Sequence, residues 1–472
     1  MPQHLKIGTC FLDDPKLKPV SYDSILENGV LIYGQNKIMA IDFSQVRLLK
    51  DAEFKPGEKI IYSMDCNVSN SSDEEDSYPR INSELADIEC LIQKGAKVII
   101  LGHRGRHKEF KDHPEKASLE FAEKYLSRKL GRKRIDYFPE NTGQEAIDFT
   151  DSIDNGSIAI MGNTRTHLEE EDELDENRQK LAQEFSRLGN VVAVGGFGKA
   201  HRANASNVEI LQYLKGYLTE SQVNEMKKLE PWAGRAKPRC CAAVLGKAGS
   251  QIIPFSVAAI GGIKGEKIQD GLAGFVNTYD YIIVGGMPLN TILKVRGYEV
   301  GNSKLKDGNK TFEKDIEKIL ANEEYAKKIY IPQKVIIARK DGDNFVDSKP
   351  INIEEKVPQG YMIVDFEIDK QACSMFEKAV IQRGRIVMAG TPCWVEKGFT
   401  EATRKIATYM NRNPQNSIAL GEDTVSDMKL AGLEFKAQSS TGGGSALYFL
   451  AYGTTPVFEA LKKNKEKFNY SK

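Results

Sequence analysis

The sequence predicts an α/β protein made of two doubly wound, Rossmann-like parallel sheets joined by a helix, and three features predict it. Short runs rich in Val and Ile, each closed by glycine or a polar residue, alternate with longer amphipathic segments. The alternation begins near residue 58 and starts afresh after a polar helical stretch in mid-chain. At 472 residues the chain is too long for one compact core. Strand, helix, strand in this rhythm gives parallel sheets whose ligands bind at the carboxyl ends of the strands.

In the first half, EKIIYSM, AKVIILG, GSIAIMG and NVVAVGG are the predicted buried strands. The helices between them are SELADIECLIQKG, SLEFAEKYLSRKLG and ENRQKLAQEFSRLG, with glycine at their ends as a stop signal. In the second half the strands are SVAAIGG, YDYIIVGG, KIYIPQKVIIA, GRIVMAG and NSIALG. The stretch LQYLKGYLTESQVNEMKKL, from Leu211 to Leu229, is expected to be the connecting helix, ended by the Pro/Gly break PWAGRAKP. The first 55 residues fall outside the rhythm, and NGVLIYGQNKIMAIDF is expected to form a short hairpin or edge strands. The expected organisation is an extension over 1–55, an anion-binding domain over 56–210, a connecting helix over 211–230, a nucleotide-binding domain over 231–452, and a segment over 453–472 packed back on the first domain. The acidic run EEEDELDE, 169–176, is expected to be a solvated loop and helix start, because acids favour a helix N-terminus.

Composition excludes several classes. Lys plus Arg and Asp plus Glu are both 66, so the formal net charge is zero. With no basic stripe and no aromatic interleaving, nucleic-acid binding is not expected. No apolar run reaches the roughly 18 residues that cross a bilayer, and the N-terminus lacks a signal-peptide layout. Seven cysteines lie scattered at 10, 66, 90, 240, 241, 373 and 393 without CxxC or Cys/His spacing, which argues against a disulfide framework and a zinc site. A cytoplasmic, monomeric protein with reduced thiols is expected.

The first half gathers polar residues at its strand ends. Asp65 and Asn67 follow the first strand, with Arg80 in the turn before the first helix. His103 and Arg106 follow the second strand, Arg165 and His167 the third, His201 and Arg202 the fourth. A lone arginine is usually a surface ion pair, but Arg80, Arg106, Arg165 and Arg202 converge on one mouth. A planar guanidinium makes paired, charge-assisted bonds to carboxylate and phosphate, so the set predicts a pocket for a small acid with two anionic ends. His167 is as well explained by a structural hydrogen bond, and His107 and His113 by the surface.

The second half places glycines there instead: Gly261 and Gly262, Gly285 and Gly286, Gly390, Gly421, and Gly442 to Gly444. STGGGSALYFL has the loop-to-helix layout that offers N–H groups to phosphate. Lys264, Asp423 and Thr424 add a cation, a magnesium-type carboxylate and a hydroxyl, the parts phosphoryl transfer needs. For Asp423 a helix N-cap is the competing reading. A dianion held by one half and a nucleotide by the other describe a kinase with a hinged cleft.

DCNV with YPRI, GHRGR, NTRTH, GFGKAHRANAS, GGIKGEK, VGGM, GEDT and STGGGS occur in that order. From about Glu58 onward the chain resembles the phosphoglycerate kinase family. The resemblance implies that fold and a transfer of the γ-phosphoryl of Mg-ATP to the carboxylate of 3-phosphoglycerate, with small-molecule partners only. By position it implies an acid pocket of Asp65, Asn67, Arg80, His103, Arg106, Arg165 and Arg202, with Arg80 nearest the reacting carboxylate. It further implies Lys264, Gly443 and Gly444 on the transferring phosphoryl, Lys267, Gly285 and Gly286 on the nucleotide, Glu396 on the ribose, Asp423 on magnesium and Thr424 beside it.

The departures fall chiefly on the nucleotide side. GGGDT reads LGEDT, placing Leu420 and Glu422 in the cradle; WNGP loses its Asn at Ala389; GGGM reads VGGM; and PVD reads PQK, placing Lys334 where an acid is usual. On the acid side ENTR reads GNTR at Gly162, and NDAFG reads VGGFG at Gly195, two changes expected to widen the pocket. Two functions follow: a specialised carboxylate kinase, or a catalytically weak relative that binds a phosphorylated ligand for regulation or scaffolding.

Overall fold

A computed structural model describes residues 41–67, 78–131, 135–234 and 254–469, together with the backbone of 26–27, 30–33 and 36–39. Among the described residues before Phe43, which form a unit of their own, Val30–Tyr33 pairs antiparallel with Leu26–Glu27 and with Asn36–Met39. Val30–Tyr33 and Asn36–Met39 lie in the stretch read as a hairpin, and Leu26–Glu27 just before it. The described residues from Phe43 onward form a second unit that holds both sheets. The cysteines at 10, 240 and 241 lie outside the described residues.

The first sheet has six parallel strands: β1 (Lys59–Asp65), β2 (Lys97–His103), β3 (Asp136–Tyr137), β4 (Ile158–Ile160), β5 (Val191–Val194) and β6 (Lys215–Leu218). Their order is β3-β4-β2-β1-β5-β6, so connections run one way from β1 and later the other way. The crevice between β1 and β5 is therefore the switch point where a doubly wound sheet takes its ligand. Helices Leu85–Gln93, Glu120–Lys129 and Asp175–Ser186 cover the sheet close to where the amphipathic segments predicted them.

The second sheet repeats the plan with β7 (Val257–Ile260), β8 (Tyr281–Val284), β9 (Ile329–Tyr330), β13 (Ile386–Ala389), β14 (Ser417–Leu420) and β15 (Gln438–Ser440), in the order β9-β8-β7-β13-β14-β15. Between β9 and β13 the chain builds an antiparallel side sheet of β10 (Lys334–Asp341), β11 (Asn344–Asn352) and β12 (Tyr361–Phe366). The single strand read in KIYIPQKVIIA is thus two strands in two sheets. Pro332, lacking an N–H to continue a ladder, sits between them. At the switch point of this sheet a Cβ on Gly261 would strike the carbonyl of Thr391, so glycine lets the loops after β7 and β13 close on each other.

The connecting helix is shorter than the 211–230 expected. Lys215–Leu218 joins the sheet as β6, and the helix spans only Glu220–Leu229. Two distant groups decide this. Asn464, on the C-terminal helix Pro456–Asn469, accepts from the Gly216 N–H at 2.8 Å and donates to the carbonyls of Leu211 and Leu214 at 2.6 and 2.8 Å. Asp87 receives the N–H groups of Glu220 at 3.0 Å and Ser221 at 2.9 Å, supplying a carboxylate to the helix start.

Beneath this helix start lies a buried polar network. The Glu84 carboxylate accepts from the Gly196 N–H at 2.8 Å, from the Ser221 hydroxyl at 2.9 Å and from the Tyr62 hydroxyl. It thereby ties β1, the loop after β5 and the connecting helix together. Burial outweighs these donors and raises the Glu84 pKa from 4.5 to about 7. The folded chain therefore holds a proton on Glu84 that the unfolded chain releases near pH 4.5. The stability this provides is complete at low pH and is lost as pH rises through about 7. Relative to Glu84→Gln, the parent should lose about 3 kcal/mol across that window. Unfolding free energies of both proteins at several pH values test this, and a difference independent of pH would refute it.

Candidate functional site in the interlobe cleft

Asp65, the last residue of β1, organises one wall of the cleft. Its buried carboxylate takes Arg80 Nη1 at 3.1 Å and the Asn67 N–H at 2.9 Å, and lies 3.2 Å from His103 Nε2. The Asn67 side-chain oxygen accepts from the Gly105 N–H at 3.0 Å, joining the turns after β1 and β2. Burial, reinforced by Arg165, Lys199 and Arg80, depresses His103 well below the usual imidazole range and keeps it neutral at pH 7. Burial also opposes the charge on Arg80, but Asp65, Glu422 and Asp423 outweigh it and raise its pKa.

Arg106, Arg165 and Arg202 line the same cavity as Arg80, Asp65, Asn67 and His103, so the expected acid-pocket residues are brought together. Two of the arginines carry an internal anion. Glu171 Oε1 lies 2.8 Å from Arg165 Nη2 and 2.9 Å from Arg202 Nη1. Burial works against the Glu171 charge, but these arginines win and lower its pKa. The acidic run is therefore only partly the solvated segment expected: Glu170 is fully buried, held by Ser206 and Thr164, and Glu171 pairs with two arginines of the site. His167 bonds Asn141 at 2.7 Å and is structural, while His107 and His113 are exposed.

The opposite wall comes from the second sheet. Lys264, Glu266 and Lys267 follow β7, Gly286 opens helix Gly286–Val295, Asp423 and Thr424 lie in the first turn of helix Glu422–Leu430, and Gly443 and Gly444 open helix Gly443–Tyr452. Three helix N-termini thus face the cavity, where unbonded N–H groups favour an anion. A Cβ on Gly444 would crowd His201 and Glu266, so glycine is needed for the close approach. Burial lowers the Lys267 pKa against the opposing pull of Glu266. Glu396 and Lys264 are exposed at the rim. Thr424 is present, but its hydroxyl donates to the Leu420 carbonyl at 2.8 Å. Gly285 does not line the cavity: it packs on Pro392, and Gly286 takes the ligand-facing place.

The cavity between the walls measures about 560 Å³. His201 bridges them, its Nδ1 lying 2.7 Å from Ser445 Oγ and its Nε2 3.8 Å from Glu266. Lys199, whose Nζ donates to Ser63 Oγ at 2.6 Å, and Glu266 and Trp394 are lining residues the motifs did not single out, and Glu171 stands behind the lining on Arg165 and Arg202. Neither glycine substitution widens the pocket. Gly162 lies outside the lining and abuts Pro139, while the space beside Gly195 is taken by Glu84 and Tyr62. Among the described residues no cluster of three or more His, Cys, Asp and Glu could hold a metal unaided, and no helix is long and apolar enough to cross a membrane.

Comparison with known proteins agrees along most of the chain. The family model described as phosphoglycerate kinase matches residues 49–452. The phosphoglycerate kinase of Thermosipho africanus is 28% identical over 426 residues, covering 89% of this chain and 98% of that protein. That of Aquifex aeolicus is 28% identical over 416 residues, covering 86% and 95%. The solved phosphoglycerate kinase structures from Coxiella burnetii and Pyrococcus horikoshii share the fold, with TM-scores of 0.62 and 0.65 at 23% and 22% identity. Each spans 89% of this chain, and 99% and 100% of their own chains are covered. With the family match running through both sheets and every motif of the cleft, the chain belongs to the phosphoglycerate kinase family, phosphotransferases that act on a carboxyl group.

Proposed function

We propose that the protein transfers the γ-phosphoryl of ATP to the carboxylate of 3-phosphoglycerate or an acid of similar size, as a specialised relative of the glycolytic enzymes. One observation carries this reading: a pocket of Arg80, Arg106, Arg165 and Arg202 faces, across a single cavity, the Lys264, Lys267 and glycine-rich helix starts suited to phosphates. Four guanidinium groups exceed what one carboxylate requires, so the acid carries a second anion. Binding there requires Glu171 to yield Arg165 and Arg202 to the incoming group.

In this reading Arg80, anchored by Asp65, offsets charge that develops on the carboxylate as the phosphoryl arrives. Lys264 and the N–H groups of Gly443 and Gly444 support the transferring group. Lys267, Gly286 and Glu396 contact the nucleotide. Asp423, an exposed carboxylate in the cavity, fits magnesium, which typically takes one or two protein carboxylates together with substrate phosphates. When bound, magnesium neutralises phosphate charge; the chain's own part is to position both substrates and exclude water on closure. A second reading, a phosphorylated-ligand binder with weak turnover, is favoured by one feature, the Glu422 carboxylate beside Arg80.

Three measurements test this. Arg80→Ala should lower phosphoryl transfer by roughly 10²–10³-fold while nucleotide affinity stays near that of the parent; near-full turnover would refute the role of Arg80. Calorimetric titration should show ATP binding that requires magnesium and is lost in Asp423→Ala, whereas equal binding by the parent with and without metal removes Asp423 from this role. In thermal-shift assays 3-phosphoglycerate should stabilise the protein far more than glycerate. Equal shifts overturn the two-anion pocket, and no shift with any phosphorylated acid leaves the reading without a substrate.

A further inference from the structure

We propose that Glu422 selects the acid substrate, favouring one with an ammonium group on the carbon next to the carboxylate that Arg80 holds. The inference rests on the kinase reading above and specifies its substrate class. The cradle glycine of the family pattern is Glu422 in this chain, in the first turn of helix Glu422–Leu430, with its side chain turned toward Arg80 across the cavity. Arg80 Nε and Glu422 Oε2 are 3.9 Å apart, too far for a hydrogen bond. Arg80 Nε is a buried donor and Glu422 Oε1 a buried acceptor, and neither has a hydrogen-bond partner, the two side chains meeting only as a 3.9 Å ion pair. Two such orphans on facing walls are costly unless one ligand satisfies both.

The chemistry of that ligand follows from the pair. It must accept from Arg80 and donate to Glu422 at neighbouring atoms. A bare carboxylate or phosphate only accepts, and it would also meet the like charge of Glu422. The carboxylate of an α-amino acid accepts from Arg80 while its ammonium donates to Glu422. Charge favours the same choice, because the groups acting on Glu422 are one cation, Arg80, and two further carboxylates, Asp65 and Asp423. An ammonium group beside Glu422 offsets those carboxylates where Arg80 is the single cation acting on it. With the phosphate sought by the remaining arginines, the substrate class is a small phosphorylated amino acid.

Calorimetric titration of the full chain with O-phosphoserine and with 3-phosphooxypropionate, the same skeleton without the amine, tests this alongside 3-phosphoglycerate. The parent should bind the amino acid about tenfold more tightly than the amine-free acid, the scale of one charge-assisted hydrogen bond. In Glu422→Ala that ratio should fall to within about twofold, and Glu422→Gln should lie between. Glu422→Gln carries the test alone if the alanine variant does not fold. A parent that does not discriminate, or an unchanged ratio in the variants, overturns the inference and leaves the kinase reading intact. So does equal tightening of both acids in Glu422→Ala, which would make Glu422 a simple repeller of anions. Failure of all three acids to bind overturns the kinase reading and this inference with it.

Discussion

The Asp65 carboxylate at the end of the central strand is the constraint from which the rest of the cleft follows. A carboxylate that is 2% exposed must be paired and hydrogen-bonded, and Arg80, His103 and the Asn67 N–H lie around it. Because β1 lies beside β5 at the switch point, those partners come from loops that a doubly wound sheet already brings to one mouth. The basic wall is thus assembled around an acid. The other wall uses the opposite device: Gly261, Gly286 and Gly444 leave out a Cβ so that loops and helix starts approach each other closely.

Internal acids shape this cleft as much as its arginines do. Glu171 sits between Arg165 and Arg202, Glu422 faces Arg80, and Glu266 faces His201. Glu171 and Glu422 thus lie against arginines of the basic wall, and Glu266 against an imidazole whose pKa burial lowers to about 4. The hinge shows a related exchange. Gly195 has no side chain where the family pattern has an aspartate, and the carboxylate of Glu84, arriving from another element, fills the adjoining space. A charge change at Glu84 acts on the loop after β5 and on the connecting helix together, because it bonds Gly196 and Ser221 at once.

The sequence by itself determined the two parallel sheets and the residues at their strand ends. Buried strands must be continuous apolar runs and surface helices must carry a stripe, so both leave a period that needs no knowledge of partners. Order along the chain then puts Asp65, His103, Arg165 and Arg202 at carboxyl ends, and one fold rule collects them. What only the tertiary structure decided depends on groups far away in sequence. Lys215–Leu218 becomes an edge strand, not helix, because Asn464 and its neighbours bond and pack against it from 248 residues away. The connecting helix starts at Glu220 because Asp87, 133 residues earlier, receives its first N–H groups. The inward turn of Glu171 and the facing of Glu422 and Arg80 were equally invisible, since a carboxylate carries no periodic signal. Its environment is set by whichever cations the fold brings within a few ångströms, and that is a property of three-dimensional distance alone.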